Sequence, residues 1–287
     1  MEAKPNFIVS PSDASAGLSQ VGGKGASLAR GESEPGGSIA VRIVEATMNT
    51  DLSVEKKEKY NTTHGVIRWL IRETMGVLGQ AVVLFLSVGR WNWVMGWAFV
   101  ILTAFWVGAT ALVVIPRNPE LLAERLGPRK GAKTWDAIIM SIIGLALVAC
   151  YIVAGLDVRN EWTTGISPLL QVAALVIVVL GYALTVWATA ANAFFSLIVR
   201  IQQERGHTVA TGGPYRFVRH PAYVGGVALY LATPVMLGSL WALIPGGLSA
   251  VLMIVRTTLE DKMLLDELDS YKEYAGRVRY RLIPGIW

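Results

Sequence analysis

Cysteine is almost absent. The 287-residue chain holds one, Cys150, so neither a disulfide framework nor a thiolate metal cluster can form within it. The three histidines, His64, His207 and His220, are too few and too scattered for a multi-histidine metal site, and no metal is expected. Charge is also scarce: Asp, Glu, Lys and Arg make up 16% of residues, against about a quarter in a soluble domain. That deficit excludes an ordinary water-facing surface. No Gly-x-Gly-x-x-Gly follows a strand pattern, which excludes the dinucleotide-type fold. The first 60 residues lack a basic start followed by an apolar core, so they are not a signal peptide.

What is present is apolar, at 53% of the chain, and clustered in windows of about 20 residues, the length of a membrane-spanning helix. Thr74 to Gly89 is apolar, followed by the turn Arg90-Trp91-Asn92-Trp93. Val94 to Ile115 is a second span, stopped by Pro116 and Pro119. Ala137 to Gly155 is a third, and Pro168 to Ile198 contains a fourth with a long extension. Tyr223 to Val255 is too long for one span at about 1.5 Å per residue. It is interrupted at Pro234, Gly238 and Pro245-Gly246-Gly247, so it reads as a helical hairpin. The expectation is an all-α, polytopic integral membrane bundle of about six membrane helices.

Lys and Arg support that count. They gather before the first span, after the second, after the fourth and at the C-terminus, while the opposite loops hold only Arg90 and Arg159. Basic loops remain cytoplasmic, so both termini are expected inside and the number of spans is even. The net charge of +5 belongs to those loops, and no nucleic-acid partner is implied. Tryptophans at span ends, such as Trp69, Trp91, Trp93, Trp97, Trp135, Trp162 and Trp241, read as an interfacial belt. Leu259 to Leu268 reads as an amphipathic helix lying on the inner interface.

Three regions follow. Residues 1–60 are polar, rich in Gly, Ser and Glu, and are expected to be disordered, with Met48 an alternative start. Residues 61–198 carry the first four spans, and 199–287 a loop, the hairpin and the C-terminal segment. Within the tail, Val21-Gly22-Gly23-Lys24-Gly25-Ala26-Ser27-Leu28 resembles the opening of the nucleotide-binding domain of phosphoenolpyruvate synthases. The rest of that domain is missing, and an isolated loop has no scaffold to hold its N–H groups on a phosphate.

The unusual chemistry sits in two stretches. The first contains His207-Thr208-Val209-Ala210, then Gly213-Pro214-Tyr215-Arg216, then Arg219-His220-Pro221-Ala222-Tyr223. The second contains Arg256-Thr257-Thr258-Leu259-Glu260-Asp261, then Tyr271, Tyr274 and Arg281-Leu282-Ile283-Pro284-Gly285. Arg256 and Glu260 stand four apart, on one face of a helix. That spacing alone describes an ordinary salt bridge, but charges near hydrocarbon are costly and tend to be functional. Tyr271 and Tyr274 read as interface anchors.

Over residues 200–287 these motifs, in this order around an apolar hairpin, resemble the isoprenylcysteine carboxyl methyltransferase and phospholipid methyltransferase group. The resemblance implies a membrane methyltransferase using S-adenosyl-L-methionine at a cytoplasmic site. Carried over residue by residue, it places cofactor binding at His207, Thr208, Val209, Ala210, Tyr215, His220, Pro221, Ala222, Tyr223 and Glu260. It places a substrate-binding and catalytic role on Arg256, with Glu260 beside it. The acidic pair is Glu260-Asp261 where the group commonly has two glutamates. The implied acceptor is the carboxylate of a lipophilic isoprenylcysteine-like molecule entering sideways from the bilayer. An ionised carboxylate needs no general base but does need a cation to orient it, and Arg256 can grip one through two parallel hydrogen bonds. The alternatives are a phospholipid amine, a small thiol, or a sterol-type ene-reductase using NADPH, which shares an Arg-His-Pro-x-Tyr-like motif. A protein that keeps the fold without turnover is the remaining reading.

Overall fold

A computed structural model describes residues 35–124, 133–196, 198–202 and 206–287, and side chains within the first helix from Thr62. The phosphoenolpyruvate-synthase-like stretch lies outside the described residues. Contacts divide the chain into Met1–Leu52 and Ser53–Trp287. The second unit carries everything below.

The described elements are helical throughout: α1 (Pro35–Val88), α2 (Val94–Val114), a short α3 (Pro119–Glu124), α4 (Thr134–Asn160), α5 (Pro168–Ala191), α6 (Pro221–Leu237), α7 (Leu243–Glu267) and α8 (Asp269–Arg277). The expected disordered tail extends to residue 60, whereas α1 already begins at Pro35. Five helices are long and apolar enough to cross a membrane: Thr62–Val88 within α1, α2, α4, α5 and α7. α6 is the sixth apolar helix. Its 17 residues reach about 25 Å, slightly short of a hydrocarbon core of about 30 Å. Large apolar side chains such as Leu86, Phe105, Leu112, Leu145, Leu169 and Val251 point outward, as lipid requires. Helices satisfy their own backbone there, where no water can.

Local chemistry sets the helix ends. Ser167 caps α5 by accepting the Leu170 N–H at 3.2 Å, and Pro168 fills the first helical position, where no N–H is needed. α6 stops at Gly238, whose φ of +88° is the left-handed conformation favoured at a helix end. The hairpin therefore turns at Gly238–Ala242 alone. Pro234 lies inside α6, and Pro245-Gly246-Gly247 lies inside the start of α7. Pro234 has no N–H for the Tyr230 carbonyl four residues earlier. α7 packs against that carbonyl through Gly246, where an added Cβ would stand 2.5 Å from it. α5 and α6 meet as closely: a Cβ on Gly225 would lie 2.6 Å from the Gly181 carbonyl and from Thr185 Oγ1.

Asp157, buried near the end of α4, ties the α4–α5 loop to the hairpin turn. It accepts from Thr163 N–H and Oγ1, each at 2.6 Å, and from Ser239 Oγ at 2.5 Å. At the opposite end of the bundle lie the start of α4, the end of α5, the start of α6 and the end of α7.

Three expectations are corrected. The long extension expected after the fourth span does not continue α5, which ends at Ala191; none of the described residues between it and a 3-10 turn at Gly213–Arg216 is helical. Leu259–Leu268 is no separate surface helix: most of it is the last part of α7, with Asp261 and Met263 buried. Trp69 and Trp93 are core residues, while Trp91, Trp97, Trp162 and Trp241 are exposed, so only part of the tryptophan set can form a belt.

Candidate functional site

Asp261, on the last turns of α7, has no solvent exposure. A carboxylate so placed needs cations and donors around it. Arg219 meets it twice, Nε to Oδ1 and Nη2 to Oδ2, each at 2.9 Å. Arg281 Nε donates to Oδ2 at 2.8 Å and the Tyr271 hydroxyl to Oδ1 at 2.8 Å. His220 Nε2 lies 3.2 Å from Oδ1. With the carboxylate as acceptor, that nitrogen carries the proton, which fixes the ring's orientation. The main chain adds two bonds, Arg219 N–H to Tyr280 O at 2.9 Å and His220 N–H to Arg281 O at 3.0 Å. The C-terminal segment thus clamps the Arg-His-Pro strip onto the end of α7.

Beside this clamp lies a partly open cavity of about 80 Å3. His207, Thr208, Val209, Ala210, Tyr215, His220, Ala222, Tyr223 and Glu260 all line it. Pro221 does not. It occupies the first position of α6, where its missing N–H costs nothing. His207 stacks on Phe194 with centroids 4.7 Å apart, and its Nδ1 accepts the Gln202 N–H at 3.3 Å. Asn192 Nδ2 donates to the Tyr215 hydroxyl at 3.3 Å, and the Tyr274 hydroxyl donates to the Tyr215 carbonyl at 2.7 Å. Tyr271 and Tyr274 are buried and line the same cavity, so they are walls of the site and not interface anchors. Burial pushes the phenols of Tyr215, Tyr271 and Tyr274 above their ordinary value, with Asp261 adding to the effect at Tyr271. They remain neutral hydrogen-bond donors at neutral pH.

A second space of about 810 Å3 opens among α1, α2, α4, α5, α6 and α7, and its lining is mainly apolar. Arg256 lines this one and not the first. Its Nε donates to Asp136 Oδ1 at 2.6 Å. Asp136, on the first turn of α4, has no solvent exposure, and its Oδ2 accepts the Val199 N–H at 2.8 Å. Arg256 and Glu260 therefore face different chambers. Between them stands Tyr223, which lines both. Its hydroxyl donates to Glu260 Oε2 at 2.5 Å, its ring stacks on His220 at 5.6 Å, and the Arg256 guanidinium lies 5.0 Å from its centroid. Among the described residues, no group of three or more His, Cys, Asp or Glu could hold a metal ion.

Residues 173–266 match the family described as "Isoprenylcysteine carboxyl methyltransferase (ICMT) family". Over this segment, about a third of its length, the chain is similar to that family. The ICMT segment runs from within α5 to the end of α7 and so covers His207 to Ala210, Tyr223, Arg256, Glu260 and Asp261, together with much of both chambers. No curated protein matches the chain. Among solved structures, it is similar to one described as "Structure of the eukaryotic intramembrane Ras methyltransferase ICMT (isoprenylcysteine carboxyl methyltransferase) without a monobody". The two are 19% identical, the match covers 79% of this chain and 95% of that one, and the TM-score is 0.43.

Several site residues carry no motif signal and emerge only in three dimensions. Asp136 is one, an acidic residue where a long apolar run begins, and a charge so close to hydrocarbon is the signal that could have found it. Asn192 had no such signal, whereas Arg219, Asp261 and Arg281 lie within the motif stretches but were assigned no role there.

Proposed function

We propose that the first chamber binds S-adenosyl-L-methionine and that the protein methylates the carboxylate of a lipophilic, isoprenylcysteine-like molecule held in the second. One observation carries this reading. Nine of the ten residues assigned to donor binding by resemblance converge on one cavity, and two of them, Ala222 and Tyr223, also line a larger apolar chamber.

The first chamber suits a cationic ligand. Glu260 offers a carboxylate, and the faces of Tyr215 and Tyr223 can attract a sulfonium. Arg219 lines the same cavity, but its charge is met by Asp261, so it does not oppose a bound cation. When bound, S-adenosyl-L-methionine supplies an activated methyl group on sulfur. Tyr223 holds Glu260 in place by donating to Oε2, and His220, fixed by Asp261, supports the Tyr223 ring from beside it. Arg256, held through its Nε by Asp136, is the cation that orients the acceptor carboxylate toward the shared wall. The protein's contribution is positioning, which suits an in-line displacement. A carboxylate oxygen forms the new bond to carbon as the carbon–sulfur bond breaks, and no proton moves.

An amine or thiol acceptor would first have to lose a proton. The two histidines near the site are both engaged, His207 by Gln202 and His220 by Asp261, which favours the carboxylate. The apolar walls of the second chamber suit a substrate drawn from the bilayer. Basic residues gathered in the loops at this end support placing the site on the cytoplasmic face.

The test is transfer of labelled methyl from S-adenosyl-L-methionine to N-acetyl-S-farnesylcysteine by the full-length protein in lipid nanodiscs. Phosphatidylethanolamine and a small alkyl thiol serve as competing acceptors. Labelled methyl ester, lost in Arg256→Ala, supports the reading. Label on the amine or thiol alone would replace the acceptor.

A further inference from the structure

Asp136 belongs neither to the donor strip nor to the groups that would touch the acceptor. A fully buried carboxylate on the first turn of a membrane helix is nevertheless costly, and it persists where its partners satisfy it. Its two oxygens are divided between two donors. Oδ1 takes Arg256 Nε–H at 2.6 Å, and Oδ2 takes the Val199 N–H at 2.8 Å.

Those two donors line different chambers. Arg256 borders the apolar one, and Val199 borders the cavity of the donor strip. Val199 sits in the loop that follows α5. Its described residues are held by bonds such as Gln202 Nε2 to Phe194 O at 2.9 Å and Val199 N–H to Asp136. One rigid carboxylate on α4 therefore sets both the wall of one chamber and the cation of the other.

We propose that Asp136 is a positioning residue that couples the two chambers. This rests on the methyltransferase reading above. A ligand that settles the Val199 loop fixes the Asp136 carboxylate, and the carboxylate in turn holds Arg256 in the setting that receives the acceptor. Coupling of this kind is reciprocal, so an acceptor that engages Arg256 tightens the donor chamber by the same factor. A carboxylate with a merely structural role would change stability and leave that factor unaltered.

Two variants separate these roles. Asp136→Asn turns one of the two acceptors into a donor, which cannot satisfy both Arg256 Nε–H and Val199 N–H. Val199→Pro removes the N–H on the loop side, at the cost of a fixed φ there, and leaves both charges in place. The test uses the full-length protein in nanodiscs, with N-acetyl-S-farnesylcysteine titrated in the presence and absence of saturating S-adenosylhomocysteine, and then the reverse titration. Thermal unfolding shows which variants fold, and Val199→Pro carries the test if Asp136→Asn does not. In the wild-type protein each ligand is expected to tighten the other by roughly 5- to 50-fold. In the variants this ratio falls close to one, while each ligand alone still binds. An equal ratio in wild type and variants overturns the proposal, as does a wild-type ratio of one with both ligands bound. A wild-type protein that binds neither ligand overturns the methyltransferase reading and the coupling with it.

Discussion

The Tyr223 hydroxyl donates to Glu260 Oε2 at 2.5 Å, across 37 positions of sequence. The same ring lies beside His220 and under the Arg256 guanidinium. One aromatic side chain therefore joins the Arg-His-Pro strip to both charged positions of α7. Glu260 faces one chamber and Arg256 the other, so Tyr223 marks where a donor's methyl group and an acceptor's oxygen would meet.

Tyr223→Phe keeps the ring and removes this bond. A hydrogen bond to a charged group contributes about 1.5–3 kcal/mol, or roughly 10- to 100-fold in affinity. The expected outcome is weakened S-adenosylhomocysteine binding together with a lowered unfolding midpoint, as read by calorimetry alongside thermal unfolding. Unchanged affinity would mean that Glu260 does not need Tyr223 to meet its ligand.

Gly225 and Gly226 are neighbours with opposite surroundings. A Cβ on Gly225 would press into the Gly181 carbonyl and Thr185 Oγ1, whereas one on Gly226 meets nothing within 4 Å. Overpacking of this sort costs about 1–3 kcal/mol. Gly225→Ala should lower the unfolding midpoint by about 3–10 °C, and Gly226→Ala should leave it level or raise it. Equal effects from the two would contradict the close approach of α5 and α6.

Ser239→Ala takes one donor from buried Asp157, at the end of the bundle away from the site. Removing a partner from a buried charge costs about 1–3 kcal/mol or more. The expected result is a lower unfolding midpoint with donor affinity intact. A loss of affinity without a loss of stability would show that the hairpin turn communicates with the site.

The phenols of Tyr215, Tyr271 and Tyr274 all lie above their ordinary value of 10.0 in the folded protein. Their contribution to stability is complete below about pH 10, where the unfolded phenols are still neutral. It is lost as the pH climbs beyond that, because the unfolded chain ionises first. Thermal unfolding from pH 8 to 11.5 should show a decline that is shallower in Tyr271→Phe.

The membrane helices were legible because lipid leaves a coarse signal: each apolar run must satisfy its backbone internally. That His207 to Ala210, Tyr215, His220, Ala222, Tyr223 and Glu260 would come together was legible because their motifs occur in a fixed order. The hairpin break was placed too broadly, since Pro245 is tolerated in the first turn of α7, where N–H groups have no helical partner. Tyr271 and Tyr274 were misread because their burial comes from the C-terminal segment folding back onto α7, which no local pattern records. The Asp136–Arg256 pair joins residues 120 positions apart. An i, i+4 reading naturally offered Glu260 to Arg256, whereas in the fold Glu260 turns to Tyr223 and Arg256 to Asp136.

The central claim, that the chamber lined by His207, Tyr215, Tyr223 and Glu260 binds the methyl donor, is tested most directly by calorimetry. Purified full-length protein is titrated with S-adenosyl-L-methionine, with NADPH in parallel and Glu260→Ala as the control. The account predicts saturable binding of the sulfonium donor that is abolished in the variant, and no binding of NADPH. Binding of NADPH alone, or donor binding indifferent to Glu260, would contradict it.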